Sequence, residues 1–232
     1  MLTLLTYPAA FGLFSGSPFC VKAAYMLELS GQSWQRSDML DPRKMPHRKL
    51  PVLRTRERLM PDSDTIRHWL ESQGANFDQG LSDIQKGQSR ALIRMAEDHL
   101  YFQMVADRWC NDQVWPHLRD TFFHEIPRFA RGFVSGSIRK SVIKGLDMQG
   151  VTRFSEAERL DRVEQDLTAI TAFLWQSPFL MGERPTSADL SVAPILAAIR
   201  ATPVRTELRG RIERDQVLSD YIDRVDQAIV LK

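Results

Sequence analysis

The chain has 232 residues, 43% hydrophobic and 26% charged, with 12 glycines and 12 prolines. That composition excludes disorder, collagen and coiled coil and allows one large domain or two small ones. Thirty-one Lys and Arg against 29 Asp and Glu leave a net charge of +2, too weak a field to wrap nucleic acid or cover an anionic membrane. Two cysteines, Cys20 and Cys110, make no disulfide framework, and their scarcity suits a reducing, cytoplasmic compartment.

Residues 1–21 carry no charge, yet Pro8, Gly12, Gly16 and Pro18 break the stretch well before it could span about 30 Å of hydrocarbon. It reads as a strand, Leu2 to Tyr7, followed by a loop. Ser17-Pro18 then supplies an N-cap with proline at the first helical position, and Val21, Ala24, Tyr25 and Leu29 continue at helical spacing to Gly31. Trp34 to Ser37 is a second strand, so the opening is a right-handed βαβ unit with parallel strands. After a proline-rich basic loop, Leu50 to Leu53 and Leu59-Met60 form a hairpin, and Asp62 or Ser63 caps a helix through Ile66, Trp69 and Leu70. Beyond it the pattern turns wholly helical. Residues 88–110 predict one long helix. Pro116, Pro127 and several glycines predict broken helices over 114–150. Leu160, Val163, Leu167, Ile170 and Leu174, and later Leu218, Ile222, Val225 and Ile229, each lay one apolar stripe against a core. The expected organisation is α+β: a βαβ-ββα domain over residues 1–76, a linker over 77–86 and an all-helical domain over 87–232.

Thr186 to Asp189 forms a capping box at the start of a mostly apolar helix. The Asp189 carboxylate reaches back to the Thr186 N–H, which makes Asp189 a folding residue.

The βαβ-ββα order, the Leu50-Pro51 pair, the segment Asp62 to Leu70 and the segment Met181 to Asp189 together resemble the glutathione transferase superfamily. With Ser17-Pro18-Phe19-Cys20-Val21-Lys22 and Gln149 to Ser155, the chain is most similar to the branch holding metaxins and the failed-axon-connections proteins. The resemblance implies a thioredoxin-like first domain that binds glutathione as co-substrate, its sulfur near the N-terminus of the first helix. Ser17 then donates a hydrogen bond to that sulfur. The positive helix end favours thiolate over thiol, lowering a pKa of about 8.5 toward neutrality. Tyr7 is the alternative holder of the sulfur, with Ser15 a third choice. Ser17 to Cys20 occupies the positions of a C-x-x-C motif with serine first, which excludes disulfide exchange through a pair and leaves Cys20 as a packed side chain. Pro51 resembles the family's cis-proline, which presents Leu50 main-chain atoms to the cysteinyl part of the tripeptide. Asp62 and Ser63 are placed for the γ-glutamyl end, although the family more often has Gln or Glu at the first position. Phe19 joins this glutathione-binding set, and Lys49, with Lys44 and His47 as alternatives, meets the glycyl carboxylate.

Seven cations and one acid between residues 43 and 58 steer an anionic ligand inward. Tyr101, Phe102, Met104, Trp109, Trp115, Phe122 and Phe123 are candidates for an apolar cosubstrate pocket. No HExxH or Cys/His spacing occurs, so no metal is expected. The implied activity is conjugation of glutathione to a small hydrophobic electrophile, in a protein with no membrane span and no nucleic-acid partner, as a possible homodimer. The competing function is a non-catalytic assembly module, as metaxins are.

Overall fold

A computed structural model describes residues 1–231. The first half is a four-stranded sheet in the order β2-β1-β3-β4: β1 (Leu2–Thr6), β2 (Trp34–Asp38), β3 (Val52–Arg54) and β4 (Leu59–Pro61). β1 runs parallel to β2, with Leu2 opposite Trp34 and Thr6 opposite Asp38, and antiparallel to β3, with Leu4 opposite Leu53. All five residues of β1 are buried, three leucines and two threonines with no alternation of exposure, as in a strand covered on both faces. Between β1 and β2 runs α1 (Pro18–Leu29), and α2 (Ser63–Ser72) follows β4. α1 packs against α2 on one side and against α8 (Ser187–Arg200) of the second domain on another, which is why nine of its residues are buried.

The helical domain departs from the expected pattern in two places. The long helix over 88–110 is two, α3 (Asp83–Met95) and α4 (Tyr101–Trp109), joined by one π turn at Ala96–Leu100. The wider turn carries Glu97 into the buried side, where it meets Lys22 of α1 at 2.6 Å. Conversely, residues 128–149 are one helix, α6 (Arg128–Gln149), rather than fragments. Pro127 stands at its N-cap, and Pro116 lies in the first turn of α5 (Trp115–Phe122), where a missing N–H costs no bond. The bundle is completed by α7 (Glu156–Leu174), α9 (Glu207–Arg214) and α10 (Gln216–Ala228).

At the centre stands α8, with Ser187 to Ile199 all buried. Its start is held by the fully buried Asp189 carboxylate. That group accepts from the N–H of Leu180 (2.9 Å), the N–H and hydroxyl of Thr186 (2.8 and 2.9 Å) and the hydroxyl of Tyr221 (3.0 Å). Burial pushes the Asp189 carboxyl above its ordinary range, and these donors work against that push. Among the described residues, no helix is long and apolar enough to cross a membrane.

Candidate functional site

The loop between β1 and α1 is built around Ser15, which is 1% exposed. Its hydroxyl donates to the Tyr7 carbonyl (2.9 Å), receives the Thr6 hydroxyl (3.2 Å) and receives the Ser17 N–H (3.3 Å). Ser15 is therefore fully engaged in shaping the loop. Ser17 is the N-cap of α1, as its sequence position predicts, but its side chain makes no capping bond. The amides of Cys20 and Val21 both return to the Ser17 carbonyl, and Pro18 has none. The Phe19 N–H is left without a backbone acceptor, at the positive end of a 12-residue helix.

Cys20 lies beneath, fully buried. Burial pushes its thiol up, while the facing hydroxyls of Thr6, Ser17 and Ser15 and the Tyr7 backbone pull the other way. A sulfur so enclosed is a packed side chain and no nucleophile. Tyr7 is half-buried above it. Burial pushes its phenol well above the ordinary value, with Cys20, Tyr101 and Asp41 adding to the shift, so Tyr7 stays protonated and keeps an O–H to donate. Its hydroxyl has no hydrogen-bond partner among the described residues.

The Leu50–Pro51 peptide is cis. Leu50 lies beyond the β1–β3 register, and its main-chain N–H and C=O have no partner among the described residues. Across the β3–β4 hairpin, Asp62 caps α2 with φ +74° and ψ 136°, a backbone conformation strained for a residue with a Cβ. Its carboxylate accepts from the Asp64 N–H (2.9 Å) and the Thr65 N–H (3.2 Å), so Asp62 acts as a cap and consumes two amides otherwise free for an anion. The Ser63 N–H and hydroxyl have no such engagement among the described residues, although the residue is 3% exposed. Lys44, His47 and Lys49 are all exposed, on a loop where His47 and Arg48 have φ of 56° and 53°. No hydrogen bond or ion pair sets one of the three apart.

The helical domain closes the other side. The Tyr101 ring meets Phe19 edge-on at 4.8 Å and Phe102 at 5.4 Å, and Phe122 meets Phe11 at 5.6 Å. A Cβ on Gly16 would stand 2.9 Å from the Phe122 ring, so glycine there lets α5 approach the α1 loop. The other apolar candidates divide: Met104 is core, while Trp109 and Trp115 pack on each other at 5.5 Å. A hollow of about 500 Å³ lined by Gln32, Arg56, Trp69 and Gln73 opens at the opposite end of the sheet and shares no residue with this cluster.

Two features escaped the sequence reading. One is the charge network that joins α1 and α2 to the second domain: Lys22, 2% exposed, pairs with Asp64 at 2.9 Å and Glu97 at 2.6 Å, while Arg90 and Arg94 also reach Asp64. The other is Arg108, 3% exposed, whose guanidinium bonds the Ala198 carbonyl and the Thr202 hydroxyl and stands 5.4 Å over the Phe11 ring. Lys22 and Glu97 betray themselves in sequence only as charges on otherwise apolar helix faces.

Comparison with known proteins agrees with this arrangement. The glutathione S-transferase N-terminal domain family matches residues 18–114, and the glutathione S-transferase C-terminal domain family matches residues 153–224. The isoprene-epoxide–glutathione S-transferase of Rhodococcus sp. (strain AD45) is 28% identical, over 97% of this chain and 98% of that protein. Failed axon connections of Drosophila melanogaster is 26% identical over 79% of this chain, which spans 46% of that longer protein. Among solved structures, the glutathione transferase GSTFuA3 of Phanerochaete chrysosporium superposes with a TM-score of 0.66 at 17% identity, covering 100% of this chain and 98% of that one. Two matched domains in the expected order, on a thioredoxin-like sheet followed by a helical bundle, place the chain in the glutathione transferase superfamily.

Proposed function

We propose that the protein is an enzyme that binds glutathione along the edge of β3 and the N-termini of α1 and α2, and adds its thiolate to a small hydrophobic electrophile. The observation that carries this reading is the convergence of uncommitted donors at one end of the sheet. The Ser17 hydroxyl without a capping bond, the unpaired Phe19 N–H and the Tyr7 hydroxyl surround the position for the sulfur. The Leu50 main chain is free to pair with the cysteinyl residue as an added strand would. Ser63 is free for the γ-glutamyl carboxylate, and Asp62, exposed beside it, faces the ammonium. Lys49, Lys44 or His47 meets the glycyl carboxylate. Phe11, Phe19, Tyr101 and Phe122 form the apolar wall on which the electrophile rests. The name of the Rhodococcus relative, whose length this chain matches, supports turnover over the assembly role that the branch resemblance brings in.

Calorimetric titration with glutathione, followed by conjugation of 1-chloro-2,4-dinitrobenzene, tests this. A hydrogen bond to a charged sulfur contributes about 1.5–3 kcal/mol, so Ser17→Ala should lower turnover by roughly tenfold to a hundredfold. Turnover that survives Ser17→Ala but is lost in Tyr7→Phe moves the role to Tyr7, and absence of glutathione binding refutes the enzyme reading.

A further inference from the structure

Between Ile126 and Leu146 the chain has five cations, Arg128, Arg131, Arg139, Lys140 and Lys144, and no acid. All five lie on α6, so the overall charge of +2 hides a local excess on one element. Two of them are engaged. Arg131 donates to the carbonyls of His124 and Ile126, and Arg139 to those of Trp109 and Cys110 and to the Asp112 carboxylate. Arg128, Lys140 and Lys144 are exposed, and among the described residues none of the three has an ion pair or a hydrogen bond.

The same helix turns aromatic rings to the outside, with Phe129 92% and Phe133 84% exposed. At 3.6 residues per turn, Phe129, Phe133, Gly136, Lys140 and Lys144 fall within an arc of about 80°, on a line about 22 Å long. Rings and free ammonium groups therefore share one face. The opposite side of α6 packs on α4, while a Cβ on Gly132 or Gly136 would meet nothing within 4 Å, so no other element overlies the outer face there.

We propose that this face of α6 docks on an anionic lipid surface. The two phenylalanine rings enter the boundary between headgroups and acyl chains, and Lys140, Lys144 and, at the border, Arg128 meet the lipid phosphates. Charge selects lipid over a second copy of the chain. In a two-fold pair the same face meets itself, and over residues 126–146 it has no carboxylate to offer the three cations. A bilayer with acidic headgroups supplies anions directly above the apolar layer that the rings need. The helix lies along that surface without crossing it, since it is not apolar enough to span. Docking here does not depend on whether glutathione is turned over.

Co-sedimentation of the full chain with vesicles tests this, using phosphatidylcholine alone and phosphatidylcholine mixed with phosphatidylglycerol. The expected result is binding to the mixed vesicles, binding weaker by about tenfold or more to phosphatidylcholine alone, and release at about 1 M salt, where the screening length falls to about 3 Å. A basic side chain at an acidic surface strengthens binding roughly fivefold, so the Lys140→Ala, Lys144→Ala double variant should bind roughly twentyfold more weakly. The Phe129→Ser, Phe133→Ser double variant should lose about tenfold or more. Both variants alter exposed side chains, and an unchanged thermal midpoint verifies that each is folded. A wild type that does not bind the mixed vesicles overturns the proposal, as does equal binding to the two vesicle types, or binding that either variant leaves at the wild-type level. A wild type that sediments as a dimer, with the phenylalanine variant a single chain, assigns the face to a second copy and overturns it as well.

Discussion

Asp107 shows how a single group can set a pH limit. It is buried on α4 beside Gln103, with the Thr206 hydroxyl donating to its carboxylate at 2.8 Å, and burial pushes its pKa from 3.8 up to about 6. The native state therefore holds this proton more tightly than the unfolded chain. The stability it contributes is complete below about pH 4 and is lost as pH rises through about 6. Asp107→Asn keeps an acceptor for Thr206 and removes the buried charge. The variant should match wild type near pH 4 and exceed it by about 3 kcal/mol near pH 8 in urea unfolding. Asp189 is also raised by burial but accepts from four donors, all internal. Asp189→Ala leaves them unsatisfied in a dry site and should cost about 3 kcal/mol, read as a lowered denaturation midpoint. The Thr186 half of that arrangement was readable from a four-residue spacing. The Tyr221 and Leu180 contributions were not, since they come from 32 residues downstream and from a separate turn.

Elements in this protein are placed by charge as well as by apolar packing. α1 and α2 carry the proposed glutathione site, and Lys22 with Asp64 and Glu97 ties both to the π turn. Burial alone would raise the Asp64 carboxyl; the Lys22 charge and hydrogen bonds from Lys22 and Arg90 outweigh it and hold the group well below the usual carboxylate range. That stabilisation is present above about pH 4 and drains away as pH falls below it. Lys22→Met leaves Glu97 with Arg94 alone and should destabilise the protein by about 3 kcal/mol near neutral pH. Its acid limb should also be shallower than that of wild type when urea midpoints are compared between about pH 3 and 7. Helical spacing predicts where α7 and α10 lie because each buries one stripe. It missed the π turn because the cause is not local: the turn is where Glu97 finds a cation from a helix 75 residues away. The continuity of α6 was missed for a different reason. Gly132, Gly136 and Gly145 read as breaks, yet glycine costs a helix only about 1 kcal/mol each.

At the scale of the molecule, α6 carries an unpartnered apolar surface, with Phe129 92% and Phe133 84% exposed one turn apart. An exposed aromatic pair of this kind is a surface that a second copy of the chain could cover, and the oligomeric state tests it. If the pair is a seam between two copies, sedimentation equilibrium gives twice the chain mass for wild type and the single-chain mass for the Phe129→Ser, Phe133→Ser double variant. Refolding of that variant should be unaffected, because neither ring touches the core.

Taken alone, the amino-acid order determined the strand and helix sequence of the first domain, the helical character of the second, the Ser17 cap, the Leu50-Pro51 pair and the capping of α8. All of these rest on residues within one or two turns of each other, where spacing and local hydrogen bonding decide the outcome. Tertiary structure alone decided which donors stay free. The Asp62 carboxylate takes two amides of α2 while Ser63 keeps its own, Ser15 is consumed by its loop while Ser17 is not, and Arg108 has no acid for a partner while Lys22 has two. The Asp62 and Ser15 bonds close within their own loops, whereas those of Arg108 and Lys22 depend on what a distant segment brings alongside. No local pattern encodes that, because the free energy of a buried polar group is set by its neighbours in space.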